Sequence, residues 1–238
     1  MTPRRSLHAR LILLVLAAAA ITATAFTFAQ GSHPVSGRRI ASVMDAQGAA
    51  WLDRPERERE EAPTRAIAAL DIRAGQTVAD IGAGSGYYTV RLAEVVGQGG
   101  RVYATDIQPE MLALIKKKLA ETTTAGKGSA SVELVLGTPT ESRLPDGAID
   151  LALMVDVYHE LAQPQAFLRS LKRAMKRDGR LVLIEFRKEG DWVPIRVEHK
   201  MSVREARMEL EAEGFAFNRV IDVLPWQHIL VFTVQPTH

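Results

Sequence analysis

Short apolar runs alternate with amphipathic stretches along most of the chain after Gly75. Apolar runs rich in β-branched side chains predict strands, whereas apolar positions spaced three and four residues apart predict helices. The predicted strands are Thr77–Ile81, Arg101–Asp106, Val132–Leu136, Ile149–Val155, Arg180–Phe186, Asn218–Leu224 and His228–Val234. The near-continuous apolar character of the central strands is typical of a sheet that is covered on both faces.

Helical spacing appears between the predicted strands. Tyr88, Leu92 and Val96 share one face of a helix after the first strand, and Pro109 begins a helix after the second. A further helix is predicted over Pro164–Arg177. This alternation of strands and helices predicts one α/β domain built on a mainly parallel sheet.

The C-terminal part predicts one more helix and a hairpin. Ser202 and Glu205 form a capping box at the start of the helix, and Gly214 ends it. The last two predicted strands are joined by a turn that contains Pro225 and is too short for a crossover helix. These two strands are therefore expected to pair antiparallel.

The first 29 residues form a separate segment. Arg4, Arg5 and Arg10 precede the uncharged stretch 11–29, which ends in small residues before Gln30. This pattern predicts a signal peptide, or an uncleaved membrane anchor, over residues 1–29. We therefore expect an exported protein, periplasmic or anchored in the inner membrane, that contacts the membrane only through this segment.

Residues 30–74 are polar at first and then show helical spacing. We expect a linker over 30–37 and a helical segment over 38–74. That segment, which includes Trp51, is either a lid over a ligand pocket or an element of simple packing. The main domain is then expected to span residues 75–238.

Composition excludes several classes of protein. The chain has 238 residues, of which 47% are hydrophobic and 24% charged, as in ordinary globular proteins. It has no cysteine, which excludes disulfides, thiolate metal sites and a cysteine nucleophile. The formal net charge is +2, and without the three arginines of the first segment it becomes −1. A nucleic-acid partner is therefore not expected.

A glycine-rich turn follows the first predicted strand. Asp80 is followed by Gly82, Gly84 and Gly86, and Asp106 ends the next strand. Glycines let the backbone approach a ligand closely, and the start of the following helix offers unpaired N–H groups. A carboxylate at the position of Asp106 can accept both hydroxyls of a ribose. The pattern predicts a nucleotide or nucleoside site.

The spacing of the glycines argues against two nucleotide classes. A dinucleotide fingerprint needs a third glycine where Tyr87 stands, which disfavours a nicotinamide-dependent dehydrogenase. No phosphate-binding P-loop pattern is present in the sequence.

From about Gly75 onward the chain resembles the class I S-adenosylmethionine-dependent methyltransferases. The stretch Asp80–Gly86 (DIGAGSG) is similar to the family's first motif, and Asp106 to its ribose-binding acid. Residues 144–151 and 157–161 resemble the fourth-strand region of the family's small-molecule branch. The resemblance implies an α/β, Rossmann-like, doubly wound and mainly parallel seven-stranded sheet with an antiparallel C-terminal hairpin.

The resemblance also implies a set of residues that bind S-adenosylmethionine. They are Asp80, Gly82, Gly84, Gly86, Tyr87, Asp106, Ile107 and Thr138. The family often has an acid after the third strand that meets the adenine, whereas this chain has Gly137 and Thr138, with Glu141 as a possible substitute. Tyr87 is expected to flank the methionyl part of the cofactor, and Tyr88 to lie in the core.

Candidate catalytic residues follow the fourth strand. His159 has a side chain that can act as a general base near neutral pH, although a structural role in the loop is the alternative. Asp156 is expected to face the cationic end of the cofactor or the acceptor. His199 and His228 have no partner at the sequence spacing of metal ligands, so both are interpreted as structural and no metal is expected.

The predicted function is therefore methyl transfer from S-adenosylmethionine to a small-molecule or envelope-associated acceptor. The alternative is an exported protein that binds S-adenosylmethionine or a nucleoside without catalysis. The sequence indicates neither the acceptor nor the oligomeric state.

Overall fold

The computed structural model describes residues 31–123 and 130–235. The predicted signal or anchor segment, 1–29, lies outside the described residues. Within the two described ranges, no helix is both long enough and apolar enough to cross a membrane.

Eight strands form one sheet, in the order β3-β2-β1-β4-β5-β8-β7, with β6 paired to β5. The strands are β1 Thr77–Ile81, β2 Arg101–Asp106, β3 Ser131–Leu136, β4 Ile149–Val155, β5 Met175–Arg187, β6 Lys200–Met201, β7 Phe215–Ile221 and β8 Gln227–Val234. Pairing is parallel from β3 to β5, and β8 runs antiparallel to both β5 and β7. The predicted mainly parallel sheet with its reversed last strand is confirmed. The two-residue strand β6 adds to the seven strands that were predicted.

Seven α-helices connect or flank the strands in the described residues. They are α1 Ala49–Leu52, α2 Arg57–Glu60, α3 Pro63–Ala69, α4 Tyr87–Val96, α5 Pro109–Thr123, α6 Pro164–Ala174 and α7 Val203–Glu211. Short 3-10 helices cover Ala46–Gly48, Tyr158–Glu160 and Val197–His199. The predicted capping box at Ser202 and Glu205 is present.

The helix expected over Pro164–Arg177 ends earlier than the pattern indicated. Met175 takes an extended backbone conformation, and β5 begins there. The register between β4 and β5 shifts between Ile149 and Leu151, opposite Gly179. A Cβ at Gly179 would lie 2.9 Å from the Ile149 carbonyl oxygen, so the close approach of the two strands requires glycine.

Two apolar clusters cover the two faces of the sheet. Ala152 and Met154 of β4 belong to one cluster together with Leu168 of α6. Leu151 and Leu153 belong to the cluster on the opposite face. This alternation follows from the two-residue period of a strand, and it explains why the predicted strands are apolar along their whole length.

The segment before β1 is less helical than expected. Residues 40–45 are not helical, and the rest forms the 3-10 helix and the short helices α1, α2 and α3. Pro55 and Pro63 interrupt a continuous helix, because proline cannot donate the backbone hydrogen bond.

Residues 31–37 of the expected linker are folded onto the body of the protein. Ser32 and Arg39 form an antiparallel bridge. The Arg38 Nε donates to Glu209 Oε1 of α7 at 3.0 Å, and His33 is buried beside the same carboxylate. These buried contacts override the linker-like composition.

Candidate functional site

A cavity of about 970 Å³ opens at the carboxyl ends of the parallel strands. The strand order reverses between β1 and β4, and ligands of open α/β sheets bind in the crevice at such a point. Residues after β1, β2, β3 and β4 line one side of the cavity, and residues 40–44, 51 and 52 line another. The segment before β1 therefore contributes a wall of the cavity, and its role as a lid stays a prediction.

The glycine turn brings the backbone to the cavity wall. Gly82 has φ +66°, and a Cβ there would lie 2.6 Å from Val157 Cγ2. Gly84 has φ +53°, and its Cβ would lie 2.7 Å from Leu52 Cδ1. Both glycines line the cavity. Gly86 does not line it and instead lies against Ile115 of α5.

Asp80 and Tyr87 support the turn from behind. Asp80 is buried, and its Oδ2 accepts a hydrogen bond from the Thr89 hydroxyl at 2.6 Å. Burial raises the pKa of Asp80 to about 6. The Tyr87 ring lies between the guanidinium groups of Arg57 and Arg91, 4.5 and 3.7 Å from its centroid. Neither residue lines the cavity, and the expected contact of Tyr87 with the methionyl part of the cofactor stays a prediction.

Asp106 lies where the carboxyl ends of β1 and β2 meet. Its Oδ2 accepts from the Gly84 N–H at 3.0 Å, and its Oδ1 accepts from the Gln108 N–H at 2.9 Å. Burial raises the pKa of Asp106, and the backbone hydrogen bonds oppose that rise. Ile107 lines the same end of the cavity with its side chain 43% exposed.

The turn after β3 presents Thr138 to the cavity. Its Oγ1 accepts from the Glu141 N–H at 2.9 Å. The Glu141 carboxylate pairs with Arg173 at 3.0 Å instead and does not line the cavity. Glu141 is therefore not a substitute for an acid that faces the adenine.

His159, Glu160 and His199, called here the histidine cluster, lie at a second end of the cavity. The Nε2 atom of His159 is 3.1 Å from His199 Nδ1, and Glu160 Oε1 is 3.8 Å from each of these nitrogens. The three side chains form a group that could hold a metal ion. The interpretation of His199 as a residue without such partners was wrong. The loop before β6 brings it beside a residue 40 positions earlier in the chain.

A buried carboxylate supports His159 from below. Glu185 Oε2 is 2.5 Å from His159 Nδ1, and both side chains are almost fully buried. Burial lowers the pKa of His159, but the charge and hydrogen bond of Glu185 outweigh it, so the pKa of His159 is raised. Sequence reasoning missed Glu185, although a lone acid inside the apolar strand 181–186 was a visible signal.

Asp156 lies between the two ends of the cavity in a strained conformation. Its φ is +54°, a value uncommon for non-glycine residues. Its Oδ2 accepts from Gln227 Nε2 at 2.7 Å, whereas its Oδ1 is buried with no hydrogen-bond partner in the described residues. Burial and the neighbouring acids Glu61 and Glu185 raise the pKa of Asp156 well above its usual value. Asp156 is among the residues that line the cavity, and its expected role toward the cofactor or the acceptor stays a prediction.

The segment before β1 is fixed against the cavity by polar contacts. Arg57 Nε donates to Glu61 Oε2 at 2.7 Å in a buried ion pair. Gln108 Nε2 donates to the Met44 carbonyl at 2.8 Å, and Gln108 Oε1 accepts from the Ala46 N–H at 3.0 Å. In this arrangement Leu52 lies against Gly84 of the glycine turn, and Trp51 lines the cavity.

The sequence of residues 79–183 matches the family described as "Methyltransferase domain". A solved S-adenosylmethionine-dependent methyltransferase from Aquifex aeolicus is 29% identical, with a TM-score of 0.74 over 81% of this chain and 100% of that chain. Residues 79–183 thus form an S-adenosylmethionine-dependent methyltransferase domain. The predicted enzyme class and cofactor are confirmed, and the non-catalytic alternative is not favoured.

Other relatives agree with this methyltransferase domain. The ubiquinone/menaquinone biosynthesis C-methyltransferase UbiE of Enterobacter sp. is 32% identical over 117 residues, which are 49% of this chain and 45% of that protein. The chain therefore spans about half the length of the curated relatives that it matches. A putative methyltransferase from Methanococcus maripaludis shares the fold at 19% identity, with a TM-score of 0.61 over 83% of this chain and 97% of that chain.

The residues of the methyltransferase domain fit the cofactor. A Cβ at Gly82 or Gly84 would collide with Val157 or Leu52, so only glycine lets the turn lie this close to the other residues that line the cavity. The Asp106 carboxylate lines the same end and can accept from ribose hydroxyls. The cavity volume of about 970 Å³ is large enough for a cofactor together with a small acceptor.

Proposed function

We propose that the protein transfers the methyl group of S-adenosylmethionine to a small, mainly apolar acceptor that carries a polar group. One observation supports this most directly. The nucleoside end around Asp106 and the histidine cluster line the same cavity. Apolar side chains surround both ends, among them Ile40, Met44 and Phe167. An acceptor bound there would be held beside the cofactor and away from bulk water.

The proposed cofactor contacts are divided between direct and supporting residues. Gly82, Gly84, Asp106, Ile107 and Thr138 line the cavity and are assigned to direct contact. The remaining predicted residues, Asp80, Gly86 and Tyr87, are assigned to the support of the turn, because they face its far side. In this assignment Asp106 accepts from the ribose hydroxyls while its backbone hydrogen bonds keep the carboxylate in place.

In methyl transfer the main task of the protein is to position the cofactor and the acceptor. S-adenosylmethionine supplies an activated methyl group when it is bound. Residues of the second end hold the polar group of the acceptor in line with that methyl group, which lowers the entropic part of the barrier. We assign this role to the histidine cluster and to Asp156, which are among the polar residues that line the cavity.

The similarity to the relatives does not identify the acceptor of this protein. Residues 40–44, 194–196 and 199 line the cavity and lie outside the matched range 79–183. The similarity to UbiE, a C-methyltransferase by its name, makes an aromatic carbon acceptor one candidate for the assay. Hydroxylated aromatic compounds of similar size form the other part of the panel.

Calorimetric titration of the full chain with S-adenosylmethionine tests the cofactor, and transfer of a labelled methyl group to a panel of small acceptors tests the activity. We expect micromolar binding of the cofactor. Failure of the folded protein to bind it would overturn the proposal. Tight binding without transfer to any acceptor of the panel would support the non-catalytic alternative.

Export is a separate proposal that rests on the sequence of residues 1–29. The basic start and the following uncharged stretch support an export signal or an anchor at the inner membrane. Fractionation of cells that express the full chain tests it. The protein is expected in the periplasmic or the membrane fraction, and an intact N-terminus in the cytosolic fraction would contradict export.

A further inference from the structure

The histidine cluster has the spacing of a metal site. Its three ligand atoms are separated by 3.1, 3.8 and 3.8 Å. A zinc ion bonded to nitrogen and oxygen at about 2.0–2.2 Å in a tetrahedral arrangement separates its ligand atoms by roughly 3.3–3.6 Å. Shifts of a few tenths of an ångström would therefore let His159, Glu160 and His199 close around one ion.

The surroundings of His159 favour coordination by its Nε2 atom. Glu185 accepts from the Nδ1 side of the ring at 2.5 Å, so the lone pair lies on Nε2, which faces His199. A carboxylate behind a ligating histidine is the usual support of a metal-bound imidazole, because it fixes the ring and increases its basicity.

The Glu160 carboxylate has few partners that compensate its charge. Its carboxylate accepts no hydrogen bond from the described residues, and its nearest basic neighbours are the two histidines at 3.8 Å. Its side chain is 16% exposed, and Glu185 and Asp106 are neighbouring acids. Asp156 adds another buried acid near His159. A divalent cation would compensate this concentration of acidic groups.

Basic groups near the cluster are engaged elsewhere. The Arg196 guanidinium pairs with Glu198, next to His199 in the sequence. Arg57, which faces Asp156, pairs with Glu61. Neither arginine forms a salt bridge with Glu160 in the described part of the chain.

We infer that His159, Glu160 and His199 bind a divalent transition-metal ion, zinc or one with similar preferences, whose open coordination position faces the cavity. Three protein ligands with a free position are typical of catalytic rather than structural zinc sites. The metal site also indicates the class of acceptor, and this part of the inference rests on the proposed function. The polar group of the acceptor is an oxygen that would become a further ligand of the ion, and the ion would thereby position the acceptor in the cavity.

Zinc binding to the full chain, purified without a histidine tag and freed of metal by a chelator, tests the inference. Calorimetry with zinc chloride is expected to show one equivalent bound with micromolar or lower Kd. The conservative variants Glu160→Gln and His199→Gln are expected to weaken binding at least about 10-fold, and Glu185→Gln about 10- to 100-fold. Glu198→Gln is the matched control, since it alters a carboxylate beside His199 outside the cluster and should change Kd less than about twofold.

Cobalt chloride supplies a second readout. The visible spectrum of bound Co²⁺ is expected to show tetrahedral or five-coordinate absorption, and acetohydroxamate, which offers two adjacent oxygens, is expected to change it by binding at the open position. Absence of stoichiometric zinc binding by the wild type would overturn the metal site. Equal loss of affinity in Glu198→Gln and Glu160→Gln would also overturn it.

The same samples separate this inference from the proposed function. S-adenosylmethionine is titrated into each protein in parallel. Cofactor binding without zinc binding would overturn the metal site and leave methyl transfer standing. Zinc binding without cofactor binding would overturn the proposed function instead. An unchanged thermal transition shows that a variant has folded.

Discussion

Glu185 lies directly under His159, with its Oε2 atom 2.5 Å from the Nδ1 atom of the imidazole ring. The other carboxylate oxygen of Glu185 accepts from the Tyr158 N–H at 2.9 Å. One buried acid of β5 therefore fixes both the backbone and the ring of the loop that follows β4. Rigid support of this kind is what keeps a site in its productive geometry.

Replacement of this acid by an amide tests its role as a positioning residue. Glu185→Gln can still accept from the Tyr158 N–H, but it removes the charge that His159 faces. We expect methyl transfer to fall at least about 10-fold while the Kd for S-adenosylmethionine changes less than about threefold. The Kd is measured by calorimetry and the rate with labelled cofactor.

Glu189→Gln provides the control for that experiment, because Glu189 is an exposed acid that follows the same strand. It is expected to leave both values unchanged. A parallel loss of cofactor affinity in Glu185→Gln would show instead that the acid supports the whole cavity.

Asp106 is the residue on which cofactor affinity is expected to depend most. Asp106→Asn keeps the shape of the side chain but loses the charge, and it places an amide donor near the N–H groups of Gly84 and Gln108. A hydrogen bond to a charged group contributes about 1.5–3 kcal/mol, so the Kd for S-adenosylmethionine should rise about 10- to 100-fold. Calorimetry measures this change, and the exposed Asp146→Asn should bind like the wild type.

Substitutions at two glycines with nearly the same backbone conformation allow the cost of steric crowding to be distinguished from the cost of backbone strain. Gly82 has φ +66°, and a Cβ added there would lie 2.6 Å from Val157, whereas Gly147 has φ +62° and open space around the same position. Gly147→Ala should destabilise the fold by about 1–2 kcal/mol from strain alone. Gly82→Ala should cost at least about 1 kcal/mol more, because the added methyl group overlaps a β-branched side chain.

Chemical denaturation of the two variants measures the difference. In a Val157→Ala background, which removes the two closest atoms, the cost of Gly82→Ala should fall toward that of Gly147→Ala. An unchanged cost in that background would mean that Val157 is not the obstacle.

Asp80 makes the stability of the fold depend on pH. Its pKa in the folded protein is about 6, above the usual value, so the folded state binds this proton more tightly than the unfolded state. The resulting destabilisation is absent below about pH 4, grows as the pH rises through about 6, and is then constant. Asp80→Asn should therefore stabilise the protein by about 3 kcal/mol at pH 8 and by less than about 1 kcal/mol at pH 4.

Urea denaturation at pH 4, 6 and 8 checks this prediction as the difference between variant and wild type. The wild type and the variant share all other acids with raised pKa values, so the difference between their free energies of unfolding reports on Asp80 alone. Asp178→Asn, an exposed substitution, should show no such pH-dependent difference. A constant gain at all three pH values would contradict the assignment to a buried ionised carboxylate.

Local patterns predicted the strands well where burial follows from the strand itself. Thr77–Ile81, Arg101–Asp106 and Ile149–Val155 have the predicted bounds, since apolar runs of this length are stable only inside a covered sheet. The glycine turn was equally visible, because its residues are consecutive.

The second end of the cavity was harder to predict because its parts are distant in the sequence. His199 meets His159 only because β6 pairs with β5 and carries the preceding loop toward the cavity. The same limit applies to residues 31–39, where the buried pair of Arg38 and Glu209 joins positions 171 residues apart. No periodicity within a short window encodes such contacts.

The walls of the cavity come from different stretches of the chain. The glycine turn and Asp106 lie within the matched methyltransferase domain, whereas the lining residues 194–196 and 199 lie outside it. Mutations at these positions can therefore alter acceptor choice while the cofactor end is preserved. The architecture allows substrate preference to evolve, or to be engineered, on this wall of the cavity without a change in the nucleoside pocket.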